Sequence, residues 1–467
     1  MTVSSPDSLL PASARVWGTV TGSDGSSVRI AGLGRLARLG DRVEIEADQG
    51  RLPGEVIALD DAQATVLLMA PPTGLAAGQR AWLTGIGAVR PTRRWLGHVI
   101  DAFGRGPDGR PVATIGDIAP ESVTGGIRRS LGDRLTTGLA ALDTFLPLCR
   151  GQRLGVFAGS GVGKSRLMSD LALGVSADVV IVGLIGERSR EVGDFVRLLE
   201  QSGGMGRCVI IQATSDQPAL IKRRAAELTL STAEFFRDQG LHVLCLLDSV
   251  TRFAEAHREI ALAAGEPPAL RAFPPSTVQA ISALCERAGT GRGASGGDIS
   301  AVFTVLVAGS DMDEPVADMV RGVLDGHVVL ERAIAERGRF PAIDLRRSVS
   351  RSAPDAWSAE EEAVVSHARR LIAAYEEAAP MIQAGLYAPG ADPTLDEAVQ
   401  RWPDLDRFVG TVTRGLSDLD NFDALAGVLG LDPLRAPEEE PEPVPVNPAL
   451  AMAMAAAEAE SASEPTQ

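Results

Sequence analysis

Cysteine is scarce, with four residues in 467, at Cys149, Cys208, Cys245 and Cys285. None forms a Cys-x-x-Cys pair, so the sequence suggests neither a zinc site nor a disulfide framework. Cys245 lies inside an apolar run and reads as a core residue. Scattered thiols of this kind fit a reducing compartment. The start, Met-Thr-Val-Ser-Ser-Pro-Asp, lacks a basic segment followed by an apolar one. No secretory leader is therefore expected. No stretch reaches about 18 apolar residues without a charge, so no membrane span is expected. Basic residues are the minority charge, with 45 Lys and Arg against 61 Asp and Glu, a net charge of −16. A general nucleic-acid binder needs a basic footprint, which argues against that class. The acidity itself serves solubility.

What the chain does have is length beyond one ordinary core, enough for about two to four domains. From about residue 14 to 90, short apolar or alternating runs begin at Val16, Ser27, Arg42 and Thr65, separated by Gly- or Asp-rich turns. Such spacing predicts a small barrel or sandwich. A Gly- and Pro-rich stretch from about 91 to 150 reads as a transition. Beyond it, apolar strands at 179–184, 208–212, 243–247 and 302–307 alternate with helical segments, the longest at 219–237. That alternation predicts a parallel sheet flanked by helices. Residues 355–434 carry helical spacing, at 359–379, 395–410 and 420–429. Beyond Pro437 the chain holds seven acids and no basic residue. Such a tail is expected to be disordered, with a short Ala-Met helix possible at 449–457.

The most informative segment is Gly155-Val-Phe-Ala-Gly-Ser-Gly-Val-Gly-Lys-Ser165. It reads as a strand, a glycine loop and a helix start, the pattern of a phosphate-binding loop. Gly159, Gly161 and Gly163 permit backbone angles closed to other residues, and with Ser160 and Val162 they bring amides close to a phosphate. The helix that follows adds the positive end of its dipole. Lys164 can reach the β- and γ-phosphates and Ser165 can ligate Mg²⁺. Ala158 stands where the pattern has its first glycine.

Two carboxylates complete the reading. The run Val243-Leu-Cys-Leu-Leu-Asp248 ends a buried strand in an acid, where ligands bind in such sheets. Asp248 can hold Mg²⁺ through water. Ile185-Gly-Glu187-Arg188 ends another strand, and a carboxylate there can polarise an attacking water.

Together these segments resemble the α/β subunits of F-type rotary ATPases. They do so with Leu-Leu-Asp-Ser-Val-Thr-Arg-Phe-Ala and Pro341-Ala-Ile-Asp-Leu-Arg-Arg-Ser-Val-Ser350. Glu234-Phe-Phe-Arg-Asp-Gln-Gly, Arg258-Glu-Ile-Ala-Leu-Ala-Ala-Gly-Glu-Pro-Pro and Leu324-Asp-Gly-His-Val-Val-Leu narrow the likeness to the type III secretion ATPases, with the flagellar export branch the nearer. The resemblance spans about residues 14–434. It implies an α/β fold with a RecA-like P-loop NTPase core at 91–352. A small N-terminal β-barrel at 1–90 and a C-terminal helical domain at 353–434 flank the core, with a disordered acidic tail at 435–467. Lys164 and Arg188 then contact the γ-phosphate, Ser165 and Asp248 serve Mg²⁺, and Glu187 activates water. Arg252 supports the site, Phe340 stacks on adenine, and Arg351 is an arginine finger entering a neighbouring copy's site.

The family further implies Mg²⁺ with ATP as substrate and a homohexameric ring. Expected partners are a stator-like regulator, a central coiled-coil stalk, a membrane export gate, and export substrates with their chaperones, and no nucleic acid. The expected location is cytoplasmic, peripheral to the inner membrane. Gly289-Thr-Gly-Arg-Gly-Ala-Ser-Gly-Gly297 reads as a flexible connection or a loop facing a ring's pore. The competing functions are a virulence-type secretion ATPase, a rotary synthase subunit and a hexameric RNA translocase. No acidic shaft-contact motif follows Arg351, which weighs against the synthase. A translocase calls for aromatic and basic residues in the N-terminal module; residues 14–90 offer Trp17 and Trp82 but little clustered charge, which weighs against it.

Overall fold

The computed structural model describes residues 16–85, 89–112, 128–269, 272–291, 296–307, 312–415 and 417–434. The tail at 435–467, its expected helix at 449–457 and the centre of the glycine-rich stretch at 292–295 lie outside these residues.

Six strands close into a barrel: β1 Trp17–Asp24, β2 Ser27–Ala31, β3 Arg42–Ala47, β4 Gly50–Leu59, β5 Gln63–Leu68 and β6 Arg80–Gly85. The order around it is β1-β2-β5-β4-β3-β6, closed by the β1–β6 pair that sets Trp17 opposite Trp82. Period-two alternation makes this interior: Val28 and Ile30 of β2 and Val43 and Ile45 of β3 are all fully buried. The sequence located four of the strands. β4 was missed because Pro53 and Gly54 interrupt its pattern, and β6 was missed as well.

The central sheet begins with β7 His98–Ile100, after which β8 Arg134–Leu135 and β9 Leu148–Cys149 pair apart from it around α1 Ala140–Thr144. Then follow β10 Arg153–Ala158, α2 Lys164–Gly174, β11 Val179–Glu187, α3 Ser189–Gln201, β12 Cys208–Thr214, α4 Ala219–Arg237 and β13 His242–Asp248. Next come α5 Val250–Ala263, α6 Ser276–Cys285, β14 Asp298–Leu306, α7 Pro315–Val323, β15 Gly326–Leu330, α8 Arg332–Glu336 and β16 Ile343–Ser350. The eight strands lie in the order β16-β15-β10-β14-β13-β11-β12-β7. Seven run parallel, and β16 is antiparallel to β15. The sheet is thus mixed, a correction to the parallel sheet expected. After β15 the chain turns through the short α8 and returns along the edge without a crossover, so β16 must reverse.

Helices cover both faces of the sheet, so its strands read as unbroken apolar runs. On one face Val156, Val180, Val182 and Leu246 pack with Leu167 and Leu171 of α2. On the other Phe157, Ile181, Cys245 and Phe303 pack with Phe236 of α4 and Phe253 of α5. All four cysteines are free and buried, and burial pushes Cys208 up to about 11 and Cys245 and Cys285 up to about 12.

The chain closes with the single-turn α9 Ala353–Ala356 and the helices α10 Ala359–Gln383, α11 Pro393–Val409 and α12 Asp418–Leu429. Ser358 and Glu361 form a reciprocal cap at the start of α10. Val365, Ala368 and Leu371 of α10 join the core on the α2 face, so this segment continues the central core.

Candidate nucleotide site

The parallel strands end along one edge of the sheet, and a cleft of about 790 Å³ opens there. Its floor is the loop between β10 and α2. Gly163 caps α2 in the left-handed region at φ 92°, which a glycine adopts without strain. A Cβ added there would also approach the Phe340 ring to 3.0 Å. Gly159, Ser160, Gly161 and Gly163 line the cleft with Ser165, which lies in the first turn of α2. Val162 points away into the core and contributes only backbone to the loop. Ala158 is fully buried at the end of β10 and fits the turn without a glycine.

Lys164 is buried, and its Nζ donates to Glu187 Oε1 at 2.9 Å and to Asp248 Oδ1. Burial alone would lower its pKa, but the charges of Asp248 and Glu187 outweigh burial and raise it. The two carboxylates therefore favour the charged ammonium. Asp248 ends β13 and is only 3% exposed. Thr304 Oγ1 of β14 donates to the same Asp248 Oδ1 at 2.6 Å. Glu187 ends β11 with its carboxylate at the cleft wall.

Arg188 follows, exposed, with Nη1 3.8 Å from a Glu191 carboxylate oxygen. Arg252 lies across Gly186, whose absent Cβ would stand 2.7 Å from the arginine Cγ. Its Nη1 donates to Glu255 at 2.7 Å, and both residues line the cleft. Phe340 packs its ring against Gly163 and keeps 36% of its surface exposed.

Arg351 stands apart from this group. It follows β16, and its N–H donates to Asp325 O, while Asp325 N–H donates to Arg153 O at the start of β10. The phosphate loop leaves the other end of β10. Arg351 therefore sits at the opposite end of the sheet from its own chain's cleft, about 17 Å away along the strand at roughly 3.3 Å per residue. Instead it lines a separate surface depression with Arg321 and His327.

Sequence reasoning missed Thr304, Glu255 and Thr251. Thr304 is a lone hydroxyl in the apolar run Ala-Val-Phe-Thr-Val-Leu, a readable signal. Thr251 Oγ1 accepts from Leu306 N–H at 2.9 Å and fixes the end of β14 against α5.

The donor set suits a hard divalent cation. Ser165 and Asp248 offer oxygen only. Among the described residues no cage of three or more His, Cys, Asp or Glu is gathered. Mg²⁺ shared with phosphates needs only one or two protein oxygens, so these residues fit it.

The nucleotide-binding domain of the ATP synthase alpha/beta family matches residues 138–350. The C-terminal domain of the type III secretion ATPase EscN matches residues 357–412. The flagellum-specific ATP synthase of Caulobacter vibrioides is 44% identical over 88% of this chain and 95% of its own length. That of Salmonella typhimurium is 38% identical over 86% and 90%.

The chain belongs to the type III secretion ATPase family.

Membership makes it an ATP-binding hydrolase with flagellum-specific homologues. The type 3 secretion system ATPase of Xanthomonas euvesicatoria is 37% identical over 87% of this chain and 92% of its own length. The fold is the family's too. The assembled ATPase EscN of enteropathogenic E. coli matches with a TM-score of 0.78 and 35% identity, over 88% of this chain and all of the other. EscN in complex with its central stalk EscO matches equally well.

Proposed function

We propose that this chain is the ATPase that energises protein export through the flagellar type III apparatus, acting as a Mg²⁺-dependent ring with Arg351 supplied in trans. The observation that carries the reading is the place of Arg351, at the sheet end opposite its own phosphate loop. Two unlike faces of one chain, a phosphate-loop cleft and a face carrying Arg351, can meet head to tail, a contact that makes a ring where the rotation closes. The assembled EscN and its complex with a stalk support a homohexamer around a central stalk here. A stator-like regulator, the export gate and substrate–chaperone complexes are the further partners proposed. The site of action is the cytoplasmic face of the inner membrane. Among the described residues no helix is long and apolar enough to cross a membrane. The domain limits that go with this reading are residues 90, 352 and 434.

In the mechanism proposed, the amides of residues 159–163 and the start of α2 hold the phosphate chain. Lys164 and Arg188 bind the γ-phosphate, Phe340 stacks on the base, and Arg252 braces the wall at Glu187. Glu187 orients the attacking water and takes up its proton at a carboxylate oxygen. Ser165, and Asp248 through water, would hold Mg²⁺, which would supply neutralisation of phosphate charge. Arg351 of the neighbouring chain stabilises charge developing on the γ-phosphoryl group.

Sequence likeness favours the flagellar over the virulence pathway, and affinity capture of flagellar export components from native cells tests that choice. An RNA translocase is opposed by the net charge and would show itself by RNA-stimulated hydrolysis. The ring is tested by mixing Arg351→Ala with Lys164→Ala chains. Each variant alone is inactive, and mixed rings regain turnover. No regain at any ratio, with rings verified by light scattering, overturns delivery in trans.

A further inference from the structure

The depression that holds Arg351 contains a second arginine. Its volume is about 480 Å³, and Asp318, Arg321, His327 and Val349 share its lining. Arg321 stands in the last turn of α7, and its Nη2 donates to Asp318 Oδ1 at 3.0 Å, one turn earlier on the same helix. Its side chain remains 36% exposed. His327 of β15 lies between the arginines, with Nε2 2.9 Å from Arg347 O and its ring edge-on to Phe157 at 5.8 Å. Burial first, and then the charges of Arg321 and Arg351, hold this imidazole below its ordinary pKa despite the Arg347 carbonyl. Its charged form is thereby disfavoured, and the two guanidinium groups are the standing cations of this lining. Val349, 46% exposed, gives the depression an apolar rim of the kind an interface covers.

The helix that carries Arg321 also reaches the other face. Glu314, the residue before α7, lines the chain's own nucleotide cleft. α7 therefore runs from one face to the other, about 13 Å at roughly 1.5 Å per residue.

We propose that Arg321 enters the neighbouring copy's site beside Arg351 and binds the same nucleotide's phosphates, as a second arginine in trans. This rests on the ring reading above. The transferring phosphoryl group spreads charge over three equatorial oxygens while the leaving oxygen gains more, which exceeds what one planar guanidinium covers. Asp318 holds Arg321 along its own helix, and the more highly charged phosphate displaces that single carboxylate as partner.

The test uses the full chain under conditions where rings form, with Arg321→Ala and Arg321→Lys. Arg321→Ala is expected to lower kcat by roughly tenfold or more while KM changes by less than about threefold, the signature of a contact made in the transition state. Arg321→Lys restores part of kcat, because it returns the charge without the fork. Mixing Arg321→Ala with Lys164→Ala chains recovers turnover, since the second variant supplies an intact Arg321 to the first variant's loop. A purely structural surface pair would lower melting temperature and leave kcat alone. Parent-like kcat in Arg321→Ala overturns the proposal. So does a loss not relieved by mixing when the Arg351→Ala and Lys164→Ala mixture does recover. If neither mixture recovers, the ring reading falls and this inference with it. Should Arg321→Ala fail to assemble, Arg321→Lys decides alone, and parent-like kcat there rejects the proposal.

Discussion

Lys164 is the residue on which the site turns. Its ammonium joins Glu187 and Asp248, each at the end of a different strand. Three segments far apart in sequence are thereby fixed to one another. Glu187 and Asp248 differ in setting although both are carboxylates. Asp248 is sealed under Thr304, while Glu187 faces the cleft. That difference suits one to a fixed electrostatic post and the other to proton transfer. Glu187→Gln keeps the side chain's shape and an oxygen for Lys164. It should bind a fluorescent ATP analogue within a few-fold of the parent while turnover falls by about 10²–10⁴. Ordinary turnover in this variant would remove Glu187 from the base role.

At the level of elements, the cap of α10 is the clearest point of leverage on stability. Ser358 accepts from Glu361 N–H at 3.2 Å, and Glu361 returns a bond to Ser358 N–H at 2.8 Å while also holding Arg134. Ser358→Ala should cost about 1 kcal/mol and lower the melting temperature without changing KM for ATP. An unchanged melting curve would show that α10 is held by its buried face alone. The buried strands and long helices were legible in the sequence because continuous apolar runs and helical spacing are local signals. β11, β12, β13 and α4 were found for that reason. β4 and the reversal of β16 were not. Pro53 and Gly54 mask the first, and the second depends on which strand lies beside which, a matter of long-range packing. The phosphate loop was readable because its chemistry is contiguous. Thr304 stands out locally as a hydroxyl in an apolar run, but that it pairs with Asp248 on another strand is a matter of long-range packing. The sequence could name Arg351 through resemblance, but only the register of β10, β15 and β16 says which end of the sheet carries it.

For the whole molecule, the ring proposed would divide the site between two chains and make activity a property of assembly. In the ring proposed, an isolated chain has a phosphate loop and no arginine to serve it. Specific ATPase activity should rise with protein concentration over the range in which light scattering records ring formation. Dilution should abolish activity with no loss of secondary structure by circular dichroism. Specific activity independent of concentration, measured where the chain is monomeric, would contradict this.

The path of α7, from Glu314 at one face to Arg321 at the other, carries a last consequence. In the proposed ring the cleft always looks one way around the circle and the arginines the other. The ring is then a directed cycle, in which clockwise and counter-clockwise are physically different. In that ring a change in the cleft of one chain would bear on a helix whose far end belongs to the next chain's site. News of hydrolysis would then travel with a built-in sense of rotation, before any stalk or substrate has been added.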